Sequence, residues 1–105
     1  MRGSTPEGRV KTQVKRILKG YANLWSHWPV QNGMGSPTLD CVGIYYGFGF
    51  AIETKAPGEK PTPRQELTIA DIRAAGGPVF VIDGEAGYKQ LEEWLCSISA
   101  LFSAE

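Results

Sequence analysis

The period of the apolar positions changes several times along the chain, and each change predicts an element. From residue 6 to about 25, Val10, Val14, Ile17, Leu18, Tyr21, Leu24 and Trp25 recur at three- and four-residue steps, the period of an amphipathic helix. Thr5 suits its cap and Pro6 its first turn. At ~100° per residue, Glu7 falls in line with Val14, Leu18 and Trp25, while Arg9, Lys15, Arg16 and Lys19 lie opposite. Glu7 therefore faces inward. The helix dipole also favours an acid in the first turn, so both a local role and a role at a buried site are open to it.

Residues 28–31 read as a short strand, and the Asn-Gly-Met-Gly-Ser-Pro stretch over 32–37 is turn chemistry. Residues 39–46 and 48–55 are rich in β-branched and aromatic side chains and flank Gly47, which predicts a β-hairpin. Gly and Pro then make a loop over 56–61. Thr62, Pro63 and Gln65 form a capping-box pattern opening a helix that Leu67, Ile69, Ala70, Ile72 and Ala74 carry and Gly76-Gly77-Pro78 ends. Val79 to Ile82 is continuously apolar, as in a strand buried on both faces. After Asp83-Gly84, a last helix turns Tyr88, Leu91, Trp94, Leu95, Ile98 and Phe102 inward. The order α-β-β-β-α-β-α predicts an α/β domain with a central mixed sheet flanked by helices. A helical crossover back to the sheet gives a parallel neighbour.

The length, 105 residues, fits one domain with one core. Formal net charge is zero, yet Arg2, Arg9, Lys11, Lys15, Arg16 and Lys19 crowd the first nineteen residues against Glu7 alone. That end attracts polyanions or simply presents a solvated helix face. Cys41 and Cys96, with one His in the chain, support neither a disulfide framework nor a zinc site. No apolar run reaches the ~20 residues that span a bilayer, and a secretory signal is missing from the N-terminal sequence, so a cytoplasmic protein is expected.

The charges that need explaining are Asp40, Glu53 and Lys55, which sit at the ends of strand segments built from Val42, Ile44, Tyr45, Phe48, Phe50 and Ile52. Ionised groups in a half-buried sheet are costly unless paired or bound to a cation. Alternation puts Ala51, Glu53 and Lys55 on one face. A two-residue hairpin loop at Tyr46-Gly47 sets Asp40 directly across from Glu53, with Cβ atoms ~5 Å apart. Two carboxylates at that spacing suit Mg²⁺, which takes one or two of them and keeps water and phosphate oxygens as its other ligands. Lys55 is placed to stabilise developing negative charge. A plain Lys55–acid salt bridge explains that pair equally well.

At these residues the chain resembles the PD-(D/E)XK nuclease superfamily and, within it, the compact VRR-NUC domains found alone in phages and bacteria. The resemblance runs over nearly the whole chain. Its segments are Ser36-Pro37-Thr38-Leu39-Asp40, Phe50-Ala51-Ile52-Glu53-Thr54-Lys55-Ala56-Pro57-Gly58, Lys60-Pro61-Thr62-Pro63-Arg64-Gln65 and Gly76-Gly77-Pro78-Val79-Phe80-Val81-Ile82. It implies a restriction-endonuclease-like core, Asp40 and Glu53 as metal ligands with the Thr54 carbonyl, Lys55 as catalytic lysine, Gln65 near the site and Glu7 as the acid of the first helix. The usual Pro-Asp pair is Leu39-Asp40 here, a change that affects how the strand starts rather than the ligand. The resemblance further implies a Mg²⁺- or Mn²⁺-dependent DNA endonuclease, with no small-molecule cofactor, acting as a homodimer on branched DNA such as Holliday junctions.

Lys60 and Arg64, beside the acids, are candidate phosphate contacts, and Lys11, Lys15, Arg16 and Lys19 extend the same track. Trp25, Trp28 and Trp94 are expected in the core or a dimer interface, with base stacking as the alternative. His27 is assigned nothing. Two other functions fit the same residues: a DNA-binding or assembly module that keeps the nuclease fold without catalysis, and a small α/β domain whose acids hold a structural ion.

Overall fold

The computed structural model describes residues 4–30 and 38–103. Among them the chain forms α1 (Pro6–Lys19), β1 (Leu24–His27), β2 (Cys41–Tyr45), β3 (Phe48–Thr54), α2 (Pro63–Ala74), β4 (Val79–Ile82) and α3 (Glu85–Phe102). The strands make one mixed sheet in the order β1-β2-β3-β4, so the fold is an α/β domain with the expected order of elements. β1, β2 and β3 are antiparallel neighbours, and α2 carries the chain over to β4, which runs parallel to β3.

The first helix stops earlier than its apolar period suggests. Thr5 caps it through Gly8 N–H at 2.9 Å, and Gly20 closes it, the Gly20 N–H donating to the Ile17 carbonyl and the Tyr21 N–H to the Leu18 carbonyl. Asn23 then takes a left-handed φ of 64°, which redirects the backbone. Leu24 and Trp25 therefore belong to β1 and not to α1. Their three-residue offset from Tyr21 matches a helix, yet they sit at the head of a four-residue strand with one side chain inward and one outward. The strand expected over 28–31 is thus shifted four residues toward the N-terminus, and residue 31 and the turn over 32–37 lie outside the described residues.

The hairpin forms as expected. Tyr46 and Gly47 have φ of 50° and 84°, the paired positive values of a type I′ turn whose twist matches its strands. Tyr46 tolerates this conformation with support from outside the turn: Asn23 Nδ2 donates to its hydroxyl at 2.9 Å, and its ring stacks on Phe102 at 4.4 Å. The resulting register pairs Tyr45 with Phe48 and Cys41 with Ile52, so one residue further Asp40 comes opposite Glu53.

Two apolar layers sandwich the sheet. On one face Val10, Val14, Ile17 and Leu18 of α1 and Leu91, Leu95 and Ile98 of α3 pack on Cys41, Tyr45, Phe50, Ile52 and Ile82. On the other, Ile69 of α2 covers Leu39, Ala51 and Val79, with Ile72 at its margin. α2 is nearly apolar-neutral around its circumference, and Leu67, expected to help carry it, points to solvent. Phe102 is likewise half-exposed, and it packs laterally on Tyr46 instead of entering the core. β4 is an edge strand, with Phe80 and Val81 only partly covered, in place of the fully buried strand its sequence suggests. Among the described residues no helix is long and apolar enough to cross a membrane.

The closest approach between layers lies at Gly87, where α3 meets β4. A Cβ added there would stand 2.9 Å from both Cα and Cγ2 of Ile82, and the backbone atom has no rotamer by which to yield. Gly87→Ala is therefore expected to lower stability by about 1–3 kcal/mol, read as a lower urea midpoint at unchanged slope. An unchanged midpoint would show that α3 does not rest on β4 at this point.

Candidate functional site

Asp40 and Glu53 meet where β2 begins and β3 ends, and each is fixed through the other's strand. The Asp40 N–H donates to Glu53 Oε1 at 3.2 Å. In the opposite direction, the Thr54 N–H and the Thr54 hydroxyl both donate to Asp40 Oδ2, at 2.9 Å and 2.6 Å. The Asp40 carboxylate thus continues the β2–β3 ladder by standing where a backbone acceptor would otherwise be. Along β3 the N–H groups of Ala51 and Lys55 donate to Pro78 and Ile82 on the β4 side. Alternation directs the backbone groups of Thr54, carbonyl included, to the Asp40 side.

Lys55 follows at the end of the strand, its Nζ 3.7 Å from Glu53 Oε2 and its side chain largely shielded. Glu53 itself is 2 % exposed, and Thr54 is fully buried. Burial pushes the Glu53 carboxyl up from 4.5 to about 7, and the charge of Asp40 pushes the same way. The Lys55 ammonium and the Asp40 N–H pull it down, and Glu7 adds a smaller upward push. Glu7, half-buried in the first turn of α1, is therefore close enough to be felt at the pair, as its inward azimuth predicts. Among the described residues, two acids and the Lys55 ammonium meet here, a surplus of acids over amines.

That surplus, with hard oxygen donors, is the chemistry a divalent ion fits. Among the described residues no three His, Cys, Asp or Glu side chains gather into a metal cage, but Mg²⁺ requires only one or two carboxylates and completes its shell with water and substrate oxygens. Asp40, Glu53 and the Thr54 carbonyl are the groups of this chain that would hold it.

The remaining candidates are spread more widely. Gln65 completes the capping box expected of it: its Oε1 accepts from Thr62 N–H at 2.9 Å and its own N–H donates to Thr62 Oγ1 at 3.2 Å. Its carboxamide oxygen is thereby committed to the helix start. Lys60 and Arg64 are exposed at the loop that leaves β3 and at the first turn of α2. On α1, Lys11 is half-buried, Arg16 donates to Gln13 Oε1 at 2.6 Å, and Lys15 lies over the Trp28 ring at 4.9 Å. Trp28 and Trp94 flank the core whereas Trp25 is exposed and stacks on His27.

Two positioning residues escaped the sequence reading. The Thr54 side chain, not only its backbone, clamps Asp40; a hydroxyl between Glu53 and Lys55 was the available signal. Asp83 accepts from Gly58 N–H at 3.0 Å and ties the loop after β3 to the end of β4. Nothing in the local sequence marks that contact, because it joins segments 25 residues apart.

Comparison with protein-family models, with curated protein sequences and with solved structures finds no match to this chain.

A carboxyl whose pKa is higher in the folded chain holds a proton that the unfolded chain has released. The stabilisation from Glu53 is therefore complete below about pH 4.5 and is lost as pH rises through about 7. In EDTA, parent stability is expected to fall relative to Glu53→Gln across that window by roughly 3 kcal/mol, measured by urea unfolding at several pH values. Parallel profiles for the two proteins would place Glu53 in a solvated setting.

Proposed function

We propose that this chain is a Mg²⁺- or Mn²⁺-dependent DNA endonuclease with a restriction-endonuclease-like core, related to the stand-alone VRR-NUC domains of the PD-(D/E)XK superfamily. The observation that carries the reading is the facing pair of half-buried Asp40 and buried Glu53 at the end of two neighbouring strands, with Lys55 beside Glu53. Two acids facing each other at a strand end repel, and a cation together with a phosphodiester would relieve them.

When bound, the ion polarises a phosphoryl oxygen and lowers the pKa of its water. Everything else in the reaction falls to the protein. Asp40, held by both Thr54 donors, is fixed in direction, so the site keeps its shape between turnovers. Glu53, whose carboxyl burial raises to about 7, would hold the cation in place of its proton. Lys55 turns from Glu53 toward the phosphate and stabilises the charge that builds as water attacks phosphorus and the P–O bond to the leaving oxygen breaks. Lys60 and Arg64 lie on the exposed approach and hold flanking phosphates. Glu7 adds negative charge that strengthens the pair's attraction for a cation, and Gln65 acts through the helix start it caps.

A homodimer acting on branched DNA belongs to the same proposal, since one small domain grips little of a junction and a two-fold axis supplies paired cuts. A cytoplasmic setting agrees with the free thiols of Cys41 and Cys96. The Lys55–Glu53 ion pair is also what a non-catalytic DNA-binding module of this fold would contain, and cleavage separates the two readings.

A four-way-junction cleavage assay in Mg²⁺ and in Mn²⁺ tests the proposal. Glu53→Ala and Lys55→Ala are each expected to lower the single-turnover rate by about 10²–10³-fold, with junction binding retained. Equal rates in parent and both variants, or a parent without metal-dependent cleavage, would end it. Sedimentation is expected to give a dimer at micromolar concentration, and a monomer with full junction cleavage would remove that part.

A further inference from the structure

A groove of about 480 Å³ runs between α1 and the sheet's free edge at β1, lined by Lys15, Leu18, Lys19, Tyr21, Leu24, Ser26 and Trp28. Its floor is apolar, for Leu24 and Trp28 pack at the margin of the core over the buried Leu18. Its rim is cationic. Lys15 and Lys19 are one helical turn apart and share a side of α1, and the Lys15 ammonium is already held over the Trp28 ring at 4.9 Å. Tyr21 is fixed from behind by its contact with Cys96 Sγ at 3.5 Å and its edge-on packing against Tyr45.

A cationic rim over a flat apolar floor matches an unpaired nucleotide, which offers a phosphate and a free base face together. A duplex keeps its bases stacked inside and presents only phosphates to such a groove. An acidic peptide offers charge but no flat ring for the floor. We propose that the groove is a subsite for single-stranded nucleic acid, with phosphates between Lys15 and Lys19 and a base resting on Leu24 and Trp28. This rests on the nuclease reading of the chain, and it narrows the substrate to DNA with an unpaired segment.

The test is fluorescence anisotropy in EDTA with a labelled oligothymidine of about ten nucleotides, so that binding is read without chemistry. The parent is expected to bind it, with unlabelled single strand competing at least ~tenfold better than duplex of equal length. Lys15→Gln/Lys19→Gln is expected to weaken binding at least ~tenfold and to reduce the slope of log affinity against log salt by about one. Lys89→Gln on α3 serves as the charge control and is expected to change neither. Glu53→Ala is expected to bind as the parent does while losing cleavage, which separates this proposal from the nuclease reading. Duplex, polyglutamate or inorganic phosphate competing as well as the single strand would overturn the subsite, as would equal losses in the double variant and Lys89→Gln. A parent that binds through Lys15 and Lys19 but never cuts would retire the nuclease reading and keep the groove.

Discussion

Two carboxylates share the mouth of one hairpin, and most of what is distinctive in this domain follows from holding them there. The type I′ turn at Tyr46-Gly47 sets the register, the register sets Asp40 against Glu53, and burial makes their mutual repulsion expensive. Among the described residues the Asp40 N–H and the Lys55 ammonium offset it at Glu53, and the two Thr54 donors at Asp40. A cation held between the two carboxylates would act on both acids at once.

The surrounding fold serves this geometry. α1 and α3 close one face of the sheet and α2 the other, which leaves the ends of β2 and β3 enclosed on both sides but open at the rim. The chain exits β3 through a loop pinned by Asp83 at Gly58, and exposed Lys60 follows in the same loop. On the other side, the early end of α1 makes room for β1, and the gap between them becomes the groove at Lys15 and Lys19.

Much of this was legible in the sequence because it depends on short-range rules. Period-two alternation and a two-residue turn suffice to place Asp40 opposite Glu53, and the cap at Thr62 is written in three residues. Where two periods agree, the sequence is ambiguous: Tyr21, Leu24 and Trp25 satisfy a helix, and only the left-handed Asn23 and the pairing with β2 make the last two a strand. Leu67 and Phe102 misled because exposure depends on which neighbours a helix finds, and α2 covers only part of its sheet face. The Asp83–Gly58 tie and the groove beside β1 join distant segments, so no local pattern announces them.

The most direct test of the central claim is an anomalous difference map from crystals soaked in Mn²⁺. The account predicts a peak bound by the carboxylates of Asp40 and Glu53 and the Thr54 carbonyl, with Lys55 withdrawn from Glu53. A map without a peak between the two acids, at Mn²⁺ concentrations that support cleavage, would contradict it.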